Sequence, residues 1–141
     1  MKKVLITPLD WGLGHATRCI PIIQEFINKG WEVHIACEEK PQYLLKCEFP
    51  TLTYHTLNGV QIIYPKKVSM ALGLAFQIPQ ILMGIRRERR EVNSLHSQFH
   101  FDLIISDNRF GVYVPHTNNI YMTHQVTIAI PVPWKFLEPL G

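Results

Sequence analysis

The sequence predicts an α/β domain in which a parallel sheet carries helices on both faces. Short apolar runs alternate along the chain with segments whose apolar residues recur at helical spacing. The chain is 47% hydrophobic and 18% charged, which is enough apolar material for a proper core. No internal repeat or low-complexity tract interrupts the alternation, so the 141 residues are predicted to form one domain.

The overall charge and the cysteines narrow the class of protein. A net charge of +3 is too small to indicate nucleic-acid binding by itself, so no nucleic-acid partner is predicted. Cys19, Cys37 and Cys47 lack a CxxC spacing and lie in apolar segments, so we expect three buried free thiols in a reducing, cytoplasmic compartment. No bound cofactor and no metal site are predicted. The histidines without metal-ligand spacing, which we treat as structural, are His34, His55, His96, His100 and His116.

The first strand and the first helix frame a glycine-containing loop. Residues 3–7 form an apolar run that predicts a strand. The helix after the loop is indicated by apolar residues at helical spacing, which are Ala16, Cys19, Ile20, Ile23, Phe26 and Ile27. Because Pro21 cannot donate a backbone hydrogen bond, we expect this helix to begin near Thr17, with Thr17 as its N-cap. Gly30 is predicted to end it.

The remaining elements continue the alternation. Strands are predicted at residues 31–37, 51–57, 102–106 and 120–123, with a turn at 58–59 and a short strand piece at 61–64. Helices are predicted at residues 41–47 and 68–99, and the second is expected to break near 77–79 because of Pro79. The prolines of the tail, at positions 131, 133 and 139, are typical of a linker that follows a domain. We therefore expect that the chain is truncated.

The loops after the first and fourth strands carry the candidate catalytic residues. In open α/β sheets ligands bind beyond the carboxyl ends of the strands, where the strand order reverses. If the order is 3-2-1-4-5, those two loops are neighbours, and His15 and Asp107 lie side by side. A carboxylate that accepts a hydrogen bond from one imidazole nitrogen makes the other nitrogen a better base. His15 is therefore the predicted general base and Asp107 its orienter, although Asp107 could instead cap a turn.

Further residues at the same edge are candidates for binding substrate. They are Gly12, Gly14, Thr17, Arg18, Asn108, Arg109, His124 and Gln125. The glycines let a ligand approach the backbone closely, and the arginines suit a phosphate or carboxylate. Structural interpretations of these residues also remain. Arg18 and Arg109 could be surface charges, and His124 could be a structural histidine.

The glycine loop also has a dinucleotide-binding interpretation. Residues 12–17 match G-x-G-x-x with Thr17 in place of the third glycine, and Glu38 stands where a ribose-binding acid would. Against this, residues 8–11 separate the loop from the strand, and the bulky His15 follows the second glycine. A dinucleotide-binding, oxidoreductase-like domain therefore remains the alternative.

Three segments carry a resemblance to a known family. Residues 12–21 resemble the Gly-x-Gly-His…Pro loop that opens glycosyltransferases of the GT-B fold. Residues 102–107 resemble the Asp-hydrophobic-Ser-Asp strand and loop of that family, and residues 121–125 resemble a later strand that often carries His-Gln. The chain looks similar to family 28 enzymes, such as the N-acetylglucosaminyl transferase of lipid II synthesis, and to UDP-glucuronosyl/glucosyl transferases.

The resemblance implies the Rossmann-like, acceptor-binding N-terminal half of a GT-B glycosyltransferase. Such an enzyme moves a sugar from a nucleotide-sugar donor, typically a UDP-sugar, to an acceptor hydroxyl, which in some relatives is lipid-linked. By resemblance, His15 is the base and Asp107 orients it. The donor-binding domain would be cut off or supplied by a partner chain, so residues 1–141 alone are expected to be inactive. A non-catalytic subunit that pairs with a catalytic chain is the third interpretation.

The segment from Val68 to Arg90 combines apolar residues with an arginine cluster. An apolar stretch up to Ile85 is followed directly by Arg-Arg-Glu-Arg-Arg. Gln77 and Pro79 interrupt the stretch, which argues against a membrane span. Apolar residues beside arginines suit a peripheral contact with an anionic membrane, such as the inner membrane face. A core helix with a solvated end explains the same pattern equally well.

Overall fold

The computed structural model describes residues 1–60 and 70–123. In this part of the chain five parallel strands form one sheet in the order β3-β2-β1-β4-β5. The strands are β1 (Lys3–Thr7), β2 (Glu32–Cys37), β3 (Thr53–Thr56), β4 (Leu103–Asp107) and β5 (Asn118–Met122). The helices are α1 (Leu13–Asn28), α2 (Glu39–Glu48) and α3 (Met70–Phe99). The fold is a Rossmann-like α/β sheet, and the strand order assumed from the sequence is confirmed.

Helices cover both faces of this sheet, as predicted. Successive side chains of a strand point to opposite faces. Val4 and Ile6 of β1 belong to the core shared with α1 and α2, whereas Leu5 between them packs in a second core with Val92 of α3. All of these side chains are fully buried, and each stabilises the fold by about 1.5–3 kcal/mol.

Helix α1 begins earlier than the sequence predicts. Its N-cap is Gly12, whose φ of 86° suits glycine, and Thr17 lies inside the helix, where its hydroxyl donates to the Gly14 carbonyl at 3.0 Å. Pro21 is accommodated within the helix. An interior proline costs about 3 kcal/mol, but Cys19 and Ile23 are fully buried against the sheet. Burial of this helix face is of similar magnitude to the cost of Pro21 and offsets it.

The end of α1 follows the prediction. Gly30 has a φ of 71°, and the next amide, that of Trp31, donates to the Phe26 carbonyl at 3.0 Å. The Gly30 amide donates to the Ile27 carbonyl at 2.9 Å. This pair of bonds is the Schellman arrangement, in which a left-handed residue just past the helix satisfies its last carbonyls.

Helix α3 also departs from prediction, because it runs through Pro79 without a break. Pro79 and Ala75, whose carbonyl loses its partner, both lie on the exposed side. Water can therefore replace the missing hydrogen bond while the second half of the helix remains packed on the sheet. The expected strand piece at 61–64, His124, Gln125 and the proline-rich tail lie outside the described residues.

The cysteines are not all buried, contrary to prediction. Cys19 and Cys37 have no exposed surface, and burial raises the pKa of each thiol to about 12. Cys47 lies on the outer side of α2 and is exposed. An apolar neighbourhood in sequence does not reveal on which side of a short helix a residue will lie.

Candidate active site

The two loops predicted to meet do so at the carboxyl edge of the sheet. Strands β1 and β4 are adjacent, and Thr7 is in register with Ser106. His15 lies in the first turn of α1, and Asp107 is the last residue of β4. This is the position where the carboxyl ends of neighbouring parallel strands present ligand-binding groups.

His15 and Asp107 form a direct contact. The His15 Nδ1 atom lies 2.9 Å from Asp107 Oδ2. Asp107 has no exposed surface, and His15 exposes 7% of its surface. The carboxylate can therefore influence an incoming ligand only through the side chains that it contacts, whereas His15 reaches the surface.

Arg18 holds the same carboxylate from one helical turn further along α1. Its Nε donates to Asp107 Oδ2 at 2.9 Å, and its Nη2 donates to Oδ1. This fork-like pairing satisfies a carboxylate that would be costly to bury alone. The hydrogen bond to Asp107 raises the pKa of Arg18 despite the opposing effect of burial. The sequence predicted Arg18 as a ligand for substrate, and this role as a partner of Asp107 was not foreseen.

The protonation of His15 decides which of its two contacts is a hydrogen bond. Arg18 Nη2 lies 2.7 Å from the same Nδ1 atom that approaches Asp107. A carboxylate oxygen can only accept, so the Asp107 contact requires a proton on Nδ1, whereas the Arg18 contact requires a lone pair there. Two lone pairs facing each other at 2.9 Å would repel. Asp107 Oδ2 therefore favours the tautomer that carries the proton on Nδ1 and the lone pair on Nε2, whereas Arg18 Nη2 favours the reverse.

Asn108 continues the loop after β4 in a left-handed conformation. Its φ is 57°, which asparagine tolerates better than most residues. The Tyr121 hydroxyl donates to Asn108 Oδ1 at 3.0 Å, and the Tyr121 ring stacks on Phe110 with centroids 5.9 Å apart. Burial and the nearby Asp107 raise the pKa of Tyr121. Asn108 is thus fixed at this edge, next to two partly exposed aromatic rings.

Arg109 is a correction to the predicted set of ligand-binding residues. Its guanidinium has no exposed surface, so it cannot meet a substrate anion at the surface of the domain. Nε donates to Glu88 at 2.7 Å and Nη1 donates to Glu38 at 2.8 Å. Further bonds reach the carbonyls of Pro8 and Leu57 at 3.0 and 3.1 Å. Arg109 therefore connects the loops that follow β1, β2 and β3 to α3.

Glu38 is occupied by this network, which weakens the dinucleotide interpretation. Its carboxylate accepts from Arg109 and, at 2.6 Å, from the Gly59 amide. A ribose-binding acid would need its oxygens for the sugar hydroxyls.

The other predicted ligand-binding residues lie at the rim or outside the described part. Gly12, Gly14 and Thr17 are exposed. A Cβ built on Gly12 or Gly14 would meet nothing within 4 Å, so space lies open beside both glycines. His124 and Gln125 lie in the range that the structure does not describe.

The apolar residues that precede the arginines lie partly on the surface of α3. Phe76 is 79% exposed, and Ile78, Leu82 and Met83 are also exposed. Among residues 1–60 and 70–123, no helix is both long and apolar enough to cross a membrane.

The fold and the edge geometry define a Rossmann-like α/β domain with a buried Asp–His pair at the carboxyl ends of its two central strands. A family model described as glycosyl transferase family 1 matches residues 3–129. The chain therefore belongs to glycosyl transferase family 1. This match confirms the predicted resemblance to glycosyltransferases, whereas the narrower resemblance to family 28 stays a prediction. A search of curated proteins finds no match.

Solved structures give more distant similarities. UGT73P12 of Glycyrrhiza uralensis, complexed with glycyrrhetinic acid 3-O-monoglucuronide, is 16% identical with a TM-score of 0.48, over 76% of this chain and 24% of its own. Glycosyltransferase VinC, in complex with DTDP, is 20% identical with a TM-score of 0.46, over 74% and 29%. UGT2 of Phytolacca americana, complexed with UDP-2fluoro-glucose and pterostilbene, is 19% identical with a TM-score of 0.48, over 76% and 26%. The chain thus spans between about a quarter and three tenths of these proteins.

Proposed function

We propose that this chain is the acceptor-binding domain of a glycosyltransferase that moves a sugar from a nucleotide-sugar donor to an acceptor hydroxyl. The observation that carries the proposal is the 2.9 Å contact between His15 and Asp107 at the carboxyl edge of the sheet. Membership of glycosyl transferase family 1 supplies the reaction class. The donor, a UDP-sugar in our proposal, would be held by a second domain or by a partner chain.

His15 is the general base of the proposed reaction. With its proton on Nδ1, the imidazole offers Nε2 to the acceptor hydroxyl. The hydroxyl proton passes to Nε2 as the acceptor oxygen bonds to the anomeric carbon of the donor sugar. The bond between that carbon and the phosphate oxygen breaks, and the nucleoside diphosphate leaves. Asp107 then faces an imidazolium, which its negative charge stabilises.

Arg18 acts in this scheme as a positioning residue rather than as a ligand for substrate. Its two bonds hold both oxygens of Asp107. A carboxylate that cannot rotate keeps the His15 ring in one orientation. The open space beside Gly12 and Gly14 is where we place the reacting acceptor hydroxyl.

Gly14→Ala tests this placement. Gly14 is helical, and a methyl group there meets nothing, so the free energy of unfolding should stay the same or rise by up to about 1 kcal/mol. We expect the rate of sugar transfer to fall by roughly tenfold or more, because the added methyl group would occupy the space where we place the acceptor hydroxyl. A tenfold loss corresponds to about 1.4 kcal/mol. The assay is release of nucleoside diphosphate from nucleotide sugars by the protein joined with its donor-binding part.

The matched control is Gln24→Ala, on the exposed side of the same helix. It should leave transfer unchanged. Full transfer activity in a stable Gly14→Ala protein would place the acceptor elsewhere and contradict the proposed site.

We further propose that the exposed apolar residues of α3 rest on an anionic membrane, where a lipid-linked acceptor would be met. Phe76 and Ile78 lie on the surface within about four turns of the arginines at 86, 87, 89 and 90. Buried apolar area and basic residues together give peripheral binding.

Co-sedimentation with vesicles tests the membrane proposal. The chain should sediment with vesicles rich in phosphatidylglycerol at low salt, and replacing the four arginines by glutamine should release most of it. Phe76→Ser should weaken binding without changing the salt dependence. Failure to bind anionic vesicles at low salt would refute membrane contact and leave the transferase proposal intact.

A further inference from the structure

A cavity of about 600 Å³ lies on the same edge of the sheet as the proposed catalytic pair. Its volume falls within the range of sites for small molecules. One wall is the loop after β1, including Asp10 and Trp11, and another is α3. His15, Asp107 and Arg18 are not among the residues that line it.

The α3 wall presents two arginines to the cavity. Arg87 and Arg90 are three residues apart, so they lie on neighbouring positions of one helix face. In the described part of the chain, Arg87 has only a distant contact with Glu91, at 3.8 Å, and no carboxylate lies within ion-pair distance of Arg90. Two guanidinium groups without strong internal partners suit a phosphate or a carboxylate.

The opposite wall suits a hydroxylated ring. Within the residues described, no hydrogen-bond donor lies within reach of the Asp10 carboxylate, which can accept bonds only from donors such as sugar hydroxyls. Asn58 adds an amide, and the Trp11 ring, 48% exposed, offers a flat apolar surface. Glu38 also borders the cavity, and its carboxylate oxygens accept from Arg109 and from the Gly59 amide.

The cavity borders the loop that leads into α1, the helix of the proposed base. Trp11 directly precedes Gly12, and it also lines a smaller cleft of about 70 Å³ that Asn108 and Phe110 share. Gly84 brings α3 close to this region, because a Cβ there would meet Val60 at 2.8 Å. A molecule in the cavity can therefore extend along Trp11 towards Gly12 and Gly14.

We propose that this cavity binds an anionic carbohydrate, with Arg87 and Arg90 on its phosphate or carboxylate and Asp10, Asn58 and Trp11 on its hydroxylated ring. The inference rests on the proposed function, because it names the acceptor class of that transferase. The same chemistry occurs in a free sugar phosphate and in the head group of a lipid. Arg87 and Arg90 are thus specificity-determining residues for the acceptor.

The test is titration of the chain with glucose 1-phosphate, read from the Trp11 indole resonance, which Trp11→Phe assigns. Glucose and inorganic phosphate, which each present one part of glucose 1-phosphate, are the comparison ligands. We expect glucose 1-phosphate to shift the resonance at lower concentration than either. R87M/R90M should weaken binding by roughly tenfold or more, because two charge-assisted contacts are lost. R86M/R89M removes the same charge from positions outside this cavity and should weaken binding by less than about threefold.

A second arm identifies the source of the anionic carbohydrate. Vesicles of phosphatidylcholine with and without phosphatidylinositol present a hydroxylated ring on a lipid phosphate. A response to either glucose 1-phosphate or phosphatidylinositol that is lost in R87M/R90M supports the proposal and assigns the source. The proposal is overturned if neither probe binds, if both arginine pairs weaken the binding of glucose 1-phosphate equally, or if inorganic phosphate binds as tightly as glucose 1-phosphate. Binding is read here without transfer, so such a failure leaves the role of His15 untouched.

Discussion

Arg109→Met is expected to lower the free energy of unfolding by about 3–5 kcal/mol, which is the usual cost of breaking a buried ion pair. Among residues 1–60 and 70–123, Glu88, with 2% of its surface exposed, would keep only the Gly111 amide at 2.8 Å as a partner. The carbonyls of Pro8 and Leu57 would lose their donors as well. Since domains of this kind have only about 5–15 kcal/mol of stability, the loss would be large. Urea unfolding followed by circular dichroism measures it.

Arg87→Met provides the matched control for this prediction. It is the same substitution on a residue with a half-exposed side chain whose ion pair with Glu91 spans 3.8 Å. Its effect should stay within about 0.5 kcal/mol. Adding Glu88→Gln to Arg109→Met should recover part of the loss, because the buried charge is then removed. Equal effects of Arg109→Met and Arg87→Met would show that the buried network contributes little.

His15→Asn is expected to reduce the rate of sugar transfer by about 10²- to 10⁴-fold, the usual contribution of a general base. The loss should appear in kcat, because the substitution removes the proton acceptor rather than a binding surface. Asp107→Asn should also reduce kcat. The double variant should lose little more than His15→Asn alone, because Asp107 acts through His15. The measurement is nucleoside diphosphate release by the chain joined with a donor-binding domain.

His116→Asn is the control for His15→Asn. His116 is exposed and has a φ of 62°, a conformation that asparagine adopts readily, so neither the fold nor transfer should change. Circular dichroism of each variant separates a loss of catalysis from a loss of structure. A kcat for His15→Asn within threefold of the unmodified protein would remove His15 as the base.

The meeting of His15 and Asp107 could be predicted because it depends on strand order alone. Two apolar runs identified β1 and β4, and the reversal point of the sheet brought their loops together. The end of α1 could also be predicted, because Gly30 is a local signal for the end of a helix. Features encoded within a few residues are visible in sequence, whereas the strand order was an assumption that the structure confirms.

The features that the sequence did not reveal depend on distant partners and on burial. Arg109 is buried because Glu38 and Glu88 reach it from 71 and 21 residues away. Helices α1 and α3 pass through Pro21 and Pro79, because packing of their other residues outweighs a local preference. Arg18 could have been suspected as a partner for Asp107, since it lies one turn after His15, but its distance from the carboxylate follows only from the fold.

The tautomer of His15 tests the central claim most directly, because a general base at Nε2 requires the proton on Nδ1. Long-range proton–nitrogen correlation spectra of the chain with labelled histidine measure it, and His15→Asn assigns the signals. The proposed Asp107–His15 pair predicts a protonated Nδ1 and an unprotonated Nε2, and it predicts that Asp107→Asn shifts this balance. A proton on Nε2 in the unmodified chain would make Arg18 the donor to Nδ1 and would contradict the assignment of His15 as the base.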